Sequence, residues 1–139
     1  MNPIRQSTVH AAGNDIAEIC HAAAHDAGWW SDPRTGNDLR QECRDGTRFG
    51  KALVAEKLCL IHSEVSEAME GARKNLQDDK LPHRKMIEVE LADALIRIGD
   101  LAGALGLDLG GAVAEKMAFN AVRPDHKIEA RTVDGGKAY

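Results

Sequence analysis

Apolar residues return every three or four positions along most of this chain, the spacing that places them on one face of a helix. Val9, Ala12, Ile16, Ile19, Cys20, Ala23 and Ala27 form the first such stripe, and with Ser7 as N-cap they predict a helix over 7–27. The segment from Gly28 to Gly50 is dense in Gly, Asp and Asn, which breaks the period and predicts a long loop of the kind that covers a site. Val54, Leu58, Ile61, Val65, Ala68, Met69 and Ala72 restore the pattern and predict the longest helix, over 50–74. Ile87, Leu91, Leu95, Ile98 and Ala102 predict a third over 84–105, with Pro82 suited to its first turn and Gly106 to its end. Asp108 caps a fourth that runs to about Val122, before Pro124 and a polar tail expected to fray or pack on a neighbouring subunit. The pattern predicts an all-α fold, an antiparallel helical bundle of about four helices. The 139 residues are expected to form one domain: an N-terminal helix and loop over 1–48, central helices over 49–123 and a tail over 124–139.

Composition agrees with helix and narrows the function classes. Aromatic residues make up 4% of the chain, while Ala, Leu, Ile and Val carry most of its 43% hydrophobic content. A net charge of -4 argues against binding to a nucleic-acid polymer or an anionic membrane, both of which need an excess of Lys and Arg. Cys20, Cys43 and Cys59 include no CxxC pair and are odd in number, so neither a disulfide framework nor a thiolate zinc site is expected. Without an apolar signal core or membrane-length run, the reading is a soluble cytoplasmic protein.

The chemistry concentrates on the second and third predicted helices. At an offset of 26 residues, Glu64-Val-Ser-Glu67 aligns with Glu90-Leu-Ala-Asp93, and Ile61, Val65, Ala68 and Met69 align with Ile87, Leu91, Ala94 and Leu95. Glu64 and Glu90 fall roughly 70–80° from the centres of their apolar stripes, in the same rotational sense, so each sits beside the core edge. Residues three apart are neighbours on a helix, which gives one carboxylate pair per helix, and antiparallel packing would unite the pairs. One such pair is ordinary on a solvated face; two matched pairs at a core edge are not. Four carboxylates gathered there repel one another unless cations neutralise them. An all-oxygen donor set selects hard ions, Mg2+ or Mn2+, and Mg2+ commonly shares its shell with substrate phosphates, which implies a phosphate ester as substrate.

Lys116, Asn120 and Arg123 share one face of the fourth predicted helix, where they could grip phosphates and a sugar. Arg97 follows Asp93 by one turn and reads as a salt-bridge partner of the carboxylates, ahead of the alternative that it reaches a phosphate. Trp29 and Trp30, adjacent in the long loop, are candidates for stacking on a base, the alternative being that a ring fills a helix or subunit junction. Glu56, Glu70, Glu88 and Glu115 read as solvated surface charge. His21 and His25 have a metal-compatible spacing but no third ligand, and Ser63 and His62 beside Glu64 complete no nucleophile constellation.

Glu64-x-x-Glu67, Glu90-x-x-Asp93 and Lys116-x3-Asn120-x-x-Arg123, together with the strings LCLIHSEVSEAMEGARKN and IEVELADALIRIGDLAG, resemble the MazG-like branch of the all-α nucleotide pyrophosphohydrolases. The resemblance covers roughly 51–127. It implies a helical bundle assembled as a homodimer or homotetramer, with Mg2+ (or Mn2+ in its place) at Glu64, Glu67, Glu90 and Asp93. It further implies hydrolysis of a nucleoside or deoxynucleoside triphosphate to the monophosphate and pyrophosphate, by attack of a metal-activated water on the α-phosphorus. Many members open the first motif with two glutamates, whereas Ser63 stands here, which leaves Glu64 as candidate both for ligation and for activating the water. Trp29-Trp30-Ser31-Asp32-Pro33 resembles extensions in bacterial and phage members. A ferritin-like di-metal oxidase expects two Glu-x-x-His pairs, and no histidine completes one here. A helical interaction module with merely solvated acidic faces is the remaining rival, and it expects no response to Mg2+.

Overall fold

The structure, a computed structural model, describes residues 3–136. It is all-α: α1 (Pro3–Asp26), α2 (Leu39–Arg44), α3 (Arg48–Lys74), α4 (Met86–Leu105), α5 (Leu109–Val122) and α6 (Ile128–Arg131), with a 3-10 turn at Pro124–His126. Among the described residues there is no strand, only two isolated bridges, and no helix is long and apolar enough to cross a membrane. The chain divides into two compact units, Ile16–Leu107 and a terminal unit of the residues up to Asp15 and from Asp108 onward.

In the Ile16–Leu107 unit, α3 and α4 run antiparallel, with Gly71 against Met86 at one end and Glu64 bonded to Arg97 farther along. Thr47 caps α3 by accepting from the Gly50 amide at 3.0 Å, and Asn75, at φ 50, ends it in the left-handed conformation that its short amide side chain tolerates. The chain then turns back on itself through an antiparallel Gln77–Lys85 bridge, so α4 opens at Met86 and Pro82 lies in the loop before it rather than in its first turn. Gly106, at φ 69, closes α4 as the sequence predicts.

α2 lies inside the segment expected to be loop throughout. Six residues are too few to display a period, but Asp38 caps them by accepting from the Arg40 amide at 2.9 Å. α2 meets α3 at Gly50, where an added Cβ would fall 1.9 Å from the Glu42 carbonyl oxygen. The C-terminal half of α1 lies on α4, whose Gly103 admits it: a Cβ there would stand 2.5 Å from the His21 Cβ. Trp30, Cys43, Leu101 and Ala104 form the buried centre, with Ala24, Leu39, Leu53, Val54 and Ile61 packed around it.

In the terminal unit, Asp108 caps α5 by accepting from the Gly111 amide at 2.9 Å. Asn14 on α1 donates to Asp108 and accepts from the Gly110 amide at 2.7 Å, which ties the middle of α1 to the start of α5. α1 opens at Pro3, four residues before the expected Ser7 cap, in line with proline's fixed φ at a first helical position. The tail forms the 3-10 turn and α6 as far as Arg131, and its last residues lie outside those described.

Candidate functional site

Glu64 and Glu90 sit on the facing sides of α3 and α4 and are 7% and 8% exposed, although a carboxylate is rarely buried without a partner. Glu64, Glu90 and Asp93 each offer an oxygen within 4.8 Å of the others. Arg97, one turn beyond Asp93, donates from Nε to Glu64 Oε1 at 2.6 Å, the salt bridge expected from its position. Glu67 lines the same cavity but stands outside the three-carboxylate group. This cavity, of about 440 Å³, is walled also by Asp78, Lys80, Leu81 and Val89.

The cluster carries more negative charge than its surroundings offset. Burial, then a hydrogen bond shared with Glu64, then the charges of Glu67, Glu64 and Asp93 push the Glu90 carboxyl up to about 7. Arg97 and Lys80 do not balance so many carboxylates, and a bound cation would.

Asp78 went unrecognised in the sequence. It is buried, accepts from the Lys80 and Leu81 amides at 3.0 and 2.6 Å, and so folds the α3–α4 loop over the cavity. Its place in a loop leaves no periodic signal.

A second, larger cavity of about 810 Å³ adjoins the first, and Asp93 and Arg97 line both. Its remaining walls come from Cys20, Ala23 and Ala24 of α1, Trp29 and Ser31 of the following turn, Leu53, Glu56, Lys57 and Leu60 of α3, and Ile96 and Asp100 of α4. The turn is built by Gly28, whose φ of 83 ends α1, while the Trp29 amide reaches back to the Ala24 carbonyl at 3.1 Å. The two tryptophans part company there. Trp29 is 70% exposed and lines the cavity; Trp30 is 1% exposed and belongs to the core. With no open face, Trp30 cannot stack on a base, which corrects its place among the candidate substrate contacts, and of the two only Trp29 has a ring open to the cavity.

Asp100 ties the turn to α4. Its Oδ1 accepts from Trp30 Nε1 at 2.7 Å and from His21 Nδ1 at 2.9 Å. Arg40 Nη1 lies 3.4 Å from His21 Nε2, so the tautomer protonated on Nδ1 satisfies both ends of the imidazole. Arg40 in turn pairs with Asp38 and holds that carboxyl down at about 2. His21 is therefore a link in a hydrogen-bond chain, not a metal ligand. Asp100 does leave a sequence signal: it stands seven residues after Asp93 and so shares its helix face. Burial first, and the Asp100 charge second, push the Cys20 thiol above its usual range.

Glu56 is exposed, as expected of surface charge, and stands at the rim of this cavity, while Lys57 Nζ lies 4.4 Å from the Trp30 ring centroid. Glu70 pairs with Lys74 on the exposed side of α3. Ser63 donates to the Leu60 carbonyl of its own helix at 2.7 Å, which leaves it no nucleophile's geometry.

Lys116, Asn120 and Arg123 belong to the terminal unit. Lys116 Nζ lies 5.0 Å from the Phe119 ring centroid, and Arg123 caps α5 while bonding Asp125 with Nε and Nη2 at 3.0 and 2.6 Å. Asn120 Oδ1 is buried with no hydrogen-bond partner, an unsatisfied acceptor of the kind found where a ligand or water is received. Against family models, curated proteins and solved structures, the chain has no match.

Proposed function

We propose that the protein is a MazG-like, Mg2+-dependent hydrolase that converts a nucleoside or deoxynucleoside triphosphate to its monophosphate and pyrophosphate. The observation that carries this reading is the meeting of Glu64, Glu90 and Asp93 across α3 and α4, with oxygens within 4.8 Å of one another. The donor set fits a hard divalent ion, since every available ligand is a carboxylate oxygen, and Glu90, whose pKa is raised first by burial and then by its carboxylate neighbours, would gain from a cation beside it. Glu64, Glu90 and Asp93 would hold Mg2+ or Mn2+, with Glu67 beside them. When bound, the ion supplies charge neutralisation for the phosphates and acidifies a coordinated water.

The chain's own residues supply the rest. Arg97 fixes the Glu64 carboxylate, which is the group assigned to accept a proton from the attacking water. Attack at the α-phosphorus expels pyrophosphate in line. Trp29 offers a ring face for the base, while Lys116, Asn120 and Arg123 are the proposed phosphate and sugar contacts. The working assembly is a helical bundle that pairs as a dimer or tetramer through the apolar stripes of its long helices.

A panel of NTPs and dNTPs with Mg2+ or Mn2+ tests this directly, with monophosphate and pyrophosphate both quantified. At least one nucleotide is expected to yield the two products, and EDTA to abolish the reaction. Release of orthophosphate and a diphosphate would put the attack at the wrong phosphorus. No turnover, with no thermal shift on adding Mg2+, would leave a helical interaction module as the better account.

A further inference from the structure

The two cavities have two side chains in common, Asp93 and Arg97, one turn apart on α4. A molecule that reaches from the Trp29 side of the larger cavity to the carboxylates of the smaller one passes this pair. Asp93 is itself an anion, so an anionic group at the passage has its attractive partner in the Arg97 guanidinium. Arg97 uses a single donor, Nε, on Glu64 at 2.6 Å, and among the described residues its Nη1 and Nη2 have no hydrogen-bond partner. Holding a guanidinium by Nε leaves free its end, where two parallel N–H groups match two oxygens of one phosphate. The side chain is 41% exposed, so that end is open to a ligand while the bond to Glu64 limits how the group can turn.

We propose that Arg97 binds the α-phosphate of the substrate through Nη1 and Nη2 while Nε keeps its bond to Glu64, so that one side chain joins the attacked phosphorus to the carboxylate assigned as base. The proposal rests on the reading of the protein as a nucleotide hydrolase. That reading puts the base in the larger cavity and the metal-bound end of the triphosphate in the smaller one, which leaves the phosphate next to the sugar at the passage between them. It adds to the contacts proposed on α5 one that lies within the unit holding the carboxylates. As the water oxygen bonds to the α-phosphorus, the P–O bond to pyrophosphate breaks and a proton passes to Glu64. The guanidinium stays beside the phosphoryl oxygens over which the charge is spread.

Binding of the products tests this without turnover. In Mg2+, the common nucleoside and deoxynucleoside monophosphates are each compared with their own nucleoside by NMR titration of the full chain, and pyrophosphate is titrated beside them. At least one monophosphate is expected to bind about 10- to 100-fold more tightly than its nucleoside, the range of hydrogen bonds between charged groups. Arg97→Gln should bring that pair within about 3-fold and change pyrophosphate affinity by less than about 3-fold, because the fork on the α-phosphate alone is lost. Mn2+ affinity, read by electron paramagnetic resonance, should hold or rise in the variant, since a positive neighbour of the carboxylates is gone. Should Arg97→Gln lose helicity, Arg97→Lys carries the test, with an expected loss of about 5-fold for the monophosphate, because a point charge lacks the fork. A monophosphate preference undiminished in the folded variant overturns the proposal, as does the lack of any such preference in the wild type. Mn2+ and monophosphate affinities that fall together would reduce Arg97 to a support of Glu64, and a loss confined to pyrophosphate would put the guanidinium on the leaving phosphates; either result overturns it. An Arg97-dependent preference in a protein that hydrolyses no triphosphate would sink the hydrolase reading and leave the phosphate contact standing.

Discussion

Trp29 and Trp30 are neighbours in the chain with opposite surroundings, and substitution should separate them. Trp29→Ala is expected to raise KM for the best nucleotide roughly 5- to 150-fold with little change in melting temperature, because only a stacking face is lost. Trp30→Ala removes the largest fully buried side chain and its bond to Asp100, so denaturant titration should show a loss of about 3–5 kcal/mol. An unchanged KM in Trp29→Ala would remove that turn from the base site. At the carboxylates, Glu64→Gln and Asp93→Asn should each lower turnover by about 100-fold or more while circular dichroism stays helical, since a hard cation loses a charged ligand. Near-wild-type rates in either would sink the assignment. Glu64, Glu90 and Asp93 were legible because two helices repeat one pattern at a fixed offset. Which tryptophan is open was not legible, because it depends on how Gly28 turns the chain and not on any local preference of the two identical residues.

At the scale of elements, α3 and α4 announced themselves through long apolar stripes, whereas α2 stayed hidden because six residues hold less than two turns. Its docking has a sharp requirement. Gly50→Ala would set a Cβ 1.9 Å from the Glu42 carbonyl oxygen, and the clash is with backbone, so α2 must shift. A destabilisation of about 2 kcal/mol or more is expected from urea titration, and a wild-type midpoint would show that α2 does not lie where described. The α3–α4 contact also has a pH signature. Glu90 titrates at about 7 when folded, above the ordinary 4.5, so the folded protein keeps a proton that the unfolded chain releases. Metal-free protein should therefore lose stability as pH rises from about 4.5 to about 7 and level off beyond. Melting curves in EDTA check this, and Glu90→Gln should flatten the decline. Added Mg2+, which competes with that proton, should raise the melting temperature more at pH 8 than at pH 6. An equal shift at both would mean that the ion binds elsewhere.

For the whole molecule, the stripes that predicted α3 and α4 are only partly consumed by their mutual packing. Leu58, Val65, Met69, Leu91 and Leu95 remain 46–59% exposed in the single chain, and exposed apolar side chains of this kind are candidates for a contact between copies. Light scattering should find a dimer or tetramer, and Val65→Asp with Met69→Asp should dissociate it. A fully active monomer would contradict the proposed assembly. Helical periodicity reported which residues share an apolar face, but it could not say how much of that face a neighbouring helix covers, because that depends on how the helices pack and not on spacing along one of them.

The shared wall of the two cavities has a consequence for affinity. Asp93 and Arg97 line both spaces, so under the proposed function a molecule with a metal-chelating end and a planar end would occupy them as a bivalent ligand. Once one end is seated, the other meets its cavity at an effective concentration set by the covalent link between them, in the millimolar range for short flexible linkers. Two weak contacts then multiply into a tight one. By the same linkage, each end strengthens the binding of the other by one common factor, so cleavage between them would cancel the gain and release both fragments together.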